Sequence, residues 1–181
     1  MTAPARTTRP APDPGSLPDV PVPLFRAVMG SFASGVSVVT TLGRDGIPRG
    51  FTCSAICSVS ADPPLLLACV DSRSSTLAEV LRCGRFAVNL LGSQAQEVSQ
   101  LFASRTEDKF ARVRWQPGPA TGMPLLQVNV AHAECEVADS VTMGDHTLLV
   151  GRLVDGGTIR GGLPLTYWRG GYTRLIGGGG S

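Results

Sequence analysis

Gly50-Phe51-Thr52-Cys53-Ser54-Ala55-Ile56-Cys57-Ser58-Val59-Ser60 runs on to Pro63-Pro64, then Leu65-Leu66-Leu67-Ala68-Cys69-Val70, then Ser72-Arg73-Ser74-Ser75-Thr76. The opening piece and Leu65–Val70 read as strands, because apolar and β-branched residues fill them and Asp62-Pro63-Pro64 breaks the chain between them. Each strand lies beside a dense set of small hydroxyl residues. Hydroxyls and free backbone N–H groups at strand ends suit a phosphorylated, hydrogen-bond-rich ligand. The second hydroxyl cluster also opens a helix, where unpaired N–H groups and the helix dipole favour an anion. The run therefore points to a cofactor site rather than to a nucleophile.

Upstream, Leu24, Phe25, Val28, Met29 and Phe32 recur at helical spacing and predict a short amphipathic helix ended by Gly35. Val36–Leu42 is a strand, Arg44-Asp45-Gly46 a hairpin turn, and Pro48 to about Val59 the returning strand. Downstream, Thr76–Leu81 is a helix with a Thr76/Glu79 capping box, closed by Gly84. Phe86–Leu91 is a strand and Ser93–Phe102 a helix with Val98, Leu101 and Phe102 inward. A charged loop over Thr106–Phe110 and a Pro/Gly-rich connection from Trp115 through Pro124 follow. Leu125–Val137 and Thr147–Val154 are long strands joined through Thr142-Met143-Gly144-Asp145-His146, and Leu165–Trp168 is a last short strand. About seven strands with three short helices, not in strict alternation, favour a mostly antiparallel barrel over a doubly wound parallel sheet.

The chain has 181 residues, enough for one domain with its own core. Residues 1–22, rich in Pro, Ala, Thr and Arg and lacking an apolar stretch, read as a disordered arm rather than a secretory signal. Residues 23–175 form the domain, and the Gly/Ser tail over 176–181 reads as a flexible linker. A net charge of +2 with scattered cations argues against nucleic acid. No apolar run approaches the roughly 20 residues of a membrane span. Five cysteines without a C-x-x-C pair or a neighbouring His argue against zinc and read as reduced thiols of a cytoplasmic protein. No dinucleotide-binding G-x-G-x-x-G, P-loop or G-x-S-x-G elbow occurs.

Each candidate has a plain structural alternative. The hydroxyls of Ser54–Ser60 and Ser72–Thr76 serve a ligand or fill a tight barrel wall and cap a helix, and Arg73 adds charge beside them. His146 after Gly144-Asp145 is a site residue or a surface histidine. Asp108-Lys109-Phe110 is a functional loop or a solvated one with a buried ring. Tyr167-Trp168-Arg169-Gly170-Gly171-Tyr172 offers flat rings and a cation to a planar ligand, or anchors the C-terminus to the core.

Gly50-Phe51-Thr52-x-Ser54, Ser58-Val59-Ser60-x-x-Pro63-Pro64-Leu65, Ser74-Ser75-Thr76, Phe86-Ala87-Val88-Asn89-Leu90-Leu91, Asp108-Lys109-Phe110, Gly144-Asp145-His146 and Tyr167 through Tyr172 stand in one order. That order resembles the flavin reductases, the reductase components of two-component flavin-dependent monooxygenases, over about Leu24 to Leu175. The resemblance implies an FMN-binding split β-barrel with short flanking α-helices, assembled as a homodimer. It implies hydride transfer from NADH or NADPH to FMN or FAD, with reduced flavin passed to a partner oxygenase. Ser54, Ala55, Ile56, Cys57, Ser58 and Ser60 would line the flavin ring and ribityl chain, and Ser74, Ser75 and Thr76 would hold its phosphate. Lys109 and Phe110 would close over the flavin. His146 and Trp168, Arg169, Gly170, Gly171 and Tyr172 would meet the nicotinamide nucleotide. Cys53, Cys57 and Gly171 depart from the residues usual in the family. The alternatives are a flavoprotein carrier or oxidase that keeps its FMN, and a non-catalytic small-ligand barrel.

Overall fold

The computed structural model describes residues 18–175. The Gly/Ser tail, and most of the arm expected to be disordered, lie outside the described residues.

The chain folds as mostly antiparallel β-structure. Strands are β1 (Ser34–Gly35), β2 (Ser37–Leu42), β3 (Pro48–Cys53), β4 (Ile56–Ala61), β5 (Pro64–Asp71), β6 (Arg85–Leu91), β7 (Trp115–Pro117), β8 (Pro124–Leu126), β9 (Asn129–Met143), β10 (His146–Thr158), β11 (Thr166–Trp168) and β12 (Gly171–Thr173). Helices are α1 (Val22–Gly30), α2 (Ser75–Cys83) and α3 (Gln96–Ala103). Seven strands make one sheet in the order β3-β2-β6-β9-β10-β5-β4, and every neighbouring pair is antiparallel. Alternating burial along β5 and β10 marks one face turned to the core. That core gathers Val39, Leu66, Val70, Phe86, Val88, Cys135 and Leu149 beneath α2. A second cluster on the other side holds Val38, Leu91, Phe102, Leu126 and Leu165 under α3.

The run that suggested one strand from Pro48 to about Val59 is two strands at opposite edges of this sheet. Only Ser54 and Ala55 separate them, so the sheet curls enough to bring one end of each edge strand together at this step. At the step, Cys69 N–H of β5 donates to the Ala55 carbonyl at 2.9 Å, and the Cys53 thiol at the end of β3 reaches the Cys69 carbonyl at 3.5 Å. A pair of small residues is what such a sharp step between edges admits.

Other boundaries shift for local reasons. The turn after β2 forms as expected, with Gly46 at φ 75° and the Asp45 carboxylate accepting from Ile47 N–H at 2.9 Å. Ser74, not Thr76, caps α2, because its hydroxyl accepts from Leu77 N–H at 3.4 Å. Glu79 is thereby free to pair with Arg82 at 2.6 Å and to accept from Arg44 N–H at 3.1 Å. The expected strand over Leu125–Val137 is split into β8 and a longer β9. Asn89 sits between the two: its carbonyl accepts from Leu126 N–H at 2.7 Å and from Asn129 Nδ2 at 3.2 Å. The helix α3 begins at Gln96 rather than Ser93, and α1 ends at Gly30, leaving Gly35 in β1. The C-terminal strand is half of a β11–β12 hairpin, turned by Arg169 and Gly170, both at positive φ.

Candidate functional site

The step Ser54-Ala55 and the strand end Asp71-Ser72 are neighbours through β5. Cys57 pairs with Leu67 in the sheet register. From Leu67 to Ser72 is five extended residues, roughly 16 Å. Along that line lie Cys69, Asp71 and the start of α2. The structure therefore brings the two hydroxyl clusters onto one track, although 12 or more residues separate them in sequence. Ser54, Ser58, Ser60 and Ser75 make no side-chain hydrogen bond to the described residues, so their hydroxyls are available to a ligand.

The far end of this track is rigidly built. Ser72 N–H donates to the Asp145 carbonyl at 3.0 Å, and the Ser72 and Thr147 hydroxyls lie 3.0 Å apart. Arg73 does not reach out toward an anion. Its guanidinium forks onto Asp71, with Nη2–Oδ2 at 2.8 Å and Nε–Oδ1 at 3.1 Å. Its side chain is 88% exposed, so the pair shapes the loop more than it stabilises the fold. The Arg73 hydrogen bonds hold the Asp71 carboxyl well below the usual range. His146 stands opposite Asp71 in the register. Its Nδ1 lies 2.7 Å from the Asp145 carboxylate, and that hydrogen bond keeps the Asp145 carboxyl below its ordinary value. His146 thus joins the Ser72–Thr76 end of the track.

At the other end a cavity of about 710 Å³ opens, lined by Ile56, Cys57, Ser58 and Ser60 together with Leu65, Leu66, Val88, Leu90 and Leu153. The sequence singled out the first four. The leucines and valine were missed because they come from three further strands and carry no local signal beyond hydrophobicity. Gly156 also lines the cavity, where a Cβ would meet the His132 carbonyl at 2.8 Å. A mainly apolar pocket that also carries the Ser58 and Ser60 side chains suits a planar heterocycle with polar substituents.

Two expected groups lie elsewhere. Lys109 donates to the Phe102 carbonyl at 2.9 Å, capping the C-terminus of α3, and stands 5.8 Å over the Phe102 ring. Partial burial lowers its pKa. Phe110 packs edge-on between Phe102 and Trp115. Both side chains are held against α3 instead of over the Ser54–Ser58 segment, because a carbonyl at a helix end and a ring cluster satisfy them there. In the β11–β12 hairpin, Trp168 donates to the Ser31 carbonyl at 3.2 Å and Arg169 stacks on the Trp168 ring at 4.6 Å. The Tyr172 hydroxyl meets the Ser99 hydroxyl at 2.9 Å, while Thr52 donates to the Ser99 carbonyl at 2.6 Å. Tyr172 is therefore linked through Ser99 to Thr52, two residues before the step.

The cysteines divide by environment. Burial pushes the Cys53 thiol up to about 11 and the Cys135 thiol up to about 12, so neither forms a thiolate near neutral pH. Cys57 is exposed and lines the cavity. Iodoacetamide at pH 8 is expected to modify Cys57 of the native protein while sparing Cys53 and Cys135, as read by peptide mass mapping. Saturating FMN should slow that modification severalfold. An unchanged Cys57 rate would remove the cavity mouth from the ligand site.

Residues 29–175 match the model of the flavin reductase like domain. A flavin reductase (NADH) of Kitasatospora aureofaciens is 49% identical over 152 residues, covering 83% of this chain and 80% of that protein. The reductase subunit HsaB of a flavin-dependent monooxygenase from Rhodococcus jostii is 39% identical, covering 83% of this chain and 76% of its own length. Among solved structures, the NADH:FAD oxidoreductase SgcE6 of Streptomyces globisporus, in complex with NAD and FAD fragments, superposes with a TM-score of 0.80 at 32% identity. That match covers 84% of this chain and 91% of the other.

Proposed function

The chain belongs to the flavin reductase-like domain family, and we propose that it is an NAD(P)H:flavin oxidoreductase that hands reduced flavin to a separate oxygenase. The observation that carries this reading is the single track joining the Ser54–Ser60 segment to the Ser72–Thr76 cluster, with ligand-ready hydroxyls at both ends. Its residues fit a flavin nucleotide, with an apolar cavity for a ring and a capped helix start for a phosphate.

Ser54, Ala55, Ile56, Cys57, Ser58 and Ser60 line the ring and ribityl chain. Ser74, Ser75 and Thr76 hold the phosphate, helped by the first N–H groups of α2. His146 and the Trp168–Tyr172 hairpin orient the nicotinamide nucleotide. Lys109 and Phe110 act from behind, by fixing α3 and through it Thr52 and Tyr172. A flavin held by these residues would supply the acceptor for a hydride from the nicotinamide. The protein's part is to stack two flat rings at reacting distance and to keep water out. Small side chains at the Ser54-Ala55 step leave room for that stack, and the leucines of the cavity exclude water. No side chain has to act as a nucleophile, which agrees with thiols held protonated at Cys53 and Cys135.

The curled seven-stranded sheet is the split barrel of this reading, with its edges closing at Ser54-Ala55. A second copy of the chain covers α1, where Leu24, Phe25, Val28, Met29 and the following Phe32 are each more than half exposed and none is buried. Light scattering is expected to give the mass of two chains, and a single-chain mass would refute that pairing.

The direct test is oxidation of NADH and of NADPH, each with FMN, FAD and riboflavin, followed at the absorbance of the reduced nicotinamide. Turnover that depends on added flavin is expected. No oxidation with any of the three flavins would overturn the assignment.

A further inference from the structure

A second cleft, of about 610 Å³, opens where the first turn of α3 meets the end of β12. Its walls differ in kind from those of the apolar cavity. Gln94, Gln96, Gln100, Glu97 and Arg174 line it together with Tyr172. A space of this size takes a nucleotide rather than a lone ion.

Arg174 is exposed, and among the described residues no carboxylate stands within ion-pair distance of it. Its side chain reaches only Gln94 Oε1, at 3.4 Å, a long hydrogen bond that a better acceptor displaces. A guanidinium without an acid partner presents a fork that matches phosphate oxygens. Amide side chains supply the adjacent donor and acceptor that a purine edge requires. A carboxylate such as Glu97 accepts from a ribose diol, as acidic residues do in other dinucleotide sites. Tyr172 adds a ring fixed by its hydroxyl to Ser99. The same Ser99 holds Thr52, so the cleft is joined to the flavin track by two hydrogen bonds.

We propose that this cleft is the subsite for the ADP half of a dinucleotide, resting on the reductase reading above. Both FAD and NAD(P)H carry that half. The chemistry recognised is the same, so the source is an arm of the test.

The probe is 5′-ADP, titrated calorimetrically into the full-length protein without flavin. Arg174→Ala is expected to weaken ADP about tenfold or more, the loss of a charged hydrogen-bonding partner. Arg174→Lys should recover part of the affinity, since it keeps the charge but not the fork. FMN affinity should be the same in all three proteins. If the ADP half belongs to FAD, Arg174→Ala weakens FAD but not FMN. If it belongs to the nicotinamide dinucleotide, the variant raises KM for NADH but not for reduced nicotinamide mononucleotide. Either pattern supports the subsite. Equal ADP affinity in wild type and Arg174→Ala overturns it, and so does a variant in which neither dinucleotide is affected. Failure of the wild-type protein to oxidise NADH with added FMN would defeat the reductase reading instead, whatever ADP does.

Discussion

Ser75→Ala, alone and combined with Ser74→Ala, is expected to weaken FMN binding by about 1–3 kcal/mol while leaving riboflavin nearly unaffected. The two serines are not equivalent. Ser74 caps α2 through Leu77 N–H, so its loss also loosens the helix start and lowers the unfolding temperature. The Ser75 hydroxyl has no hydrogen-bond partner among the described residues, so Ser75→Ala removes only what that hydroxyl gives to a ligand. The single variant therefore reports on the phosphate cleanly, and the double variant bounds the effect. Fluorescence titrations with FMN and riboflavin decide the matter. Equal losses for both flavins would mean that the cluster shapes the loop and does not hold the phosphate.

His146→Ala should slow flavin reduction by NAD(P)H, up to about 10²-fold if the donor ring shifts by as little as 1 Å. Stability should barely change, because the His146–Asp145 contact is solvent-exposed and such pairs contribute little. His146 faces Asp71 across the register, next to the segment that carries Ser72 and Ser74. That placement sharpens the comparison. A hydride-orienting role moves the stopped-flow reduction rate and leaves flavin affinity within about twofold. A role in the phosphate cluster moves flavin affinity and leaves the reduction rate of bound flavin intact. The second result would transfer His146 from the nicotinamide to the flavin.

Much of the fold was legible in sequence. Asp45-Gly46 announced the first hairpin, Pro63-Pro64 the break before β5, and the β-branched and leucine-rich runs the strands that hold the core. The order of the motifs placed the chain in its family. For the site, the hydroxyl clusters stood out because their number exceeds what capping a helix needs. Lys109, Phe110 and the leucines of the cavity were harder. A sequence shows that Phe110 is apolar and Lys109 charged, but not that Phe102 lies behind both.

The sequence by itself determined which segments extend, where they turn and which small hydroxyl residues crowd their ends, because those preferences act between near neighbours in the chain. Tertiary structure alone decided that Gly50–Ser60 is cut at Ser54-Ala55 into two strands on opposite edges. It also decided that those edges meet, and that Ser72 touches Thr147 across 75 residues. Such choices depend on which distant strands share hydrogen bonds and on the twist that curls the sheet. A pairing between β5 and β10 leaves no mark on either segment that a reader of one strand could find.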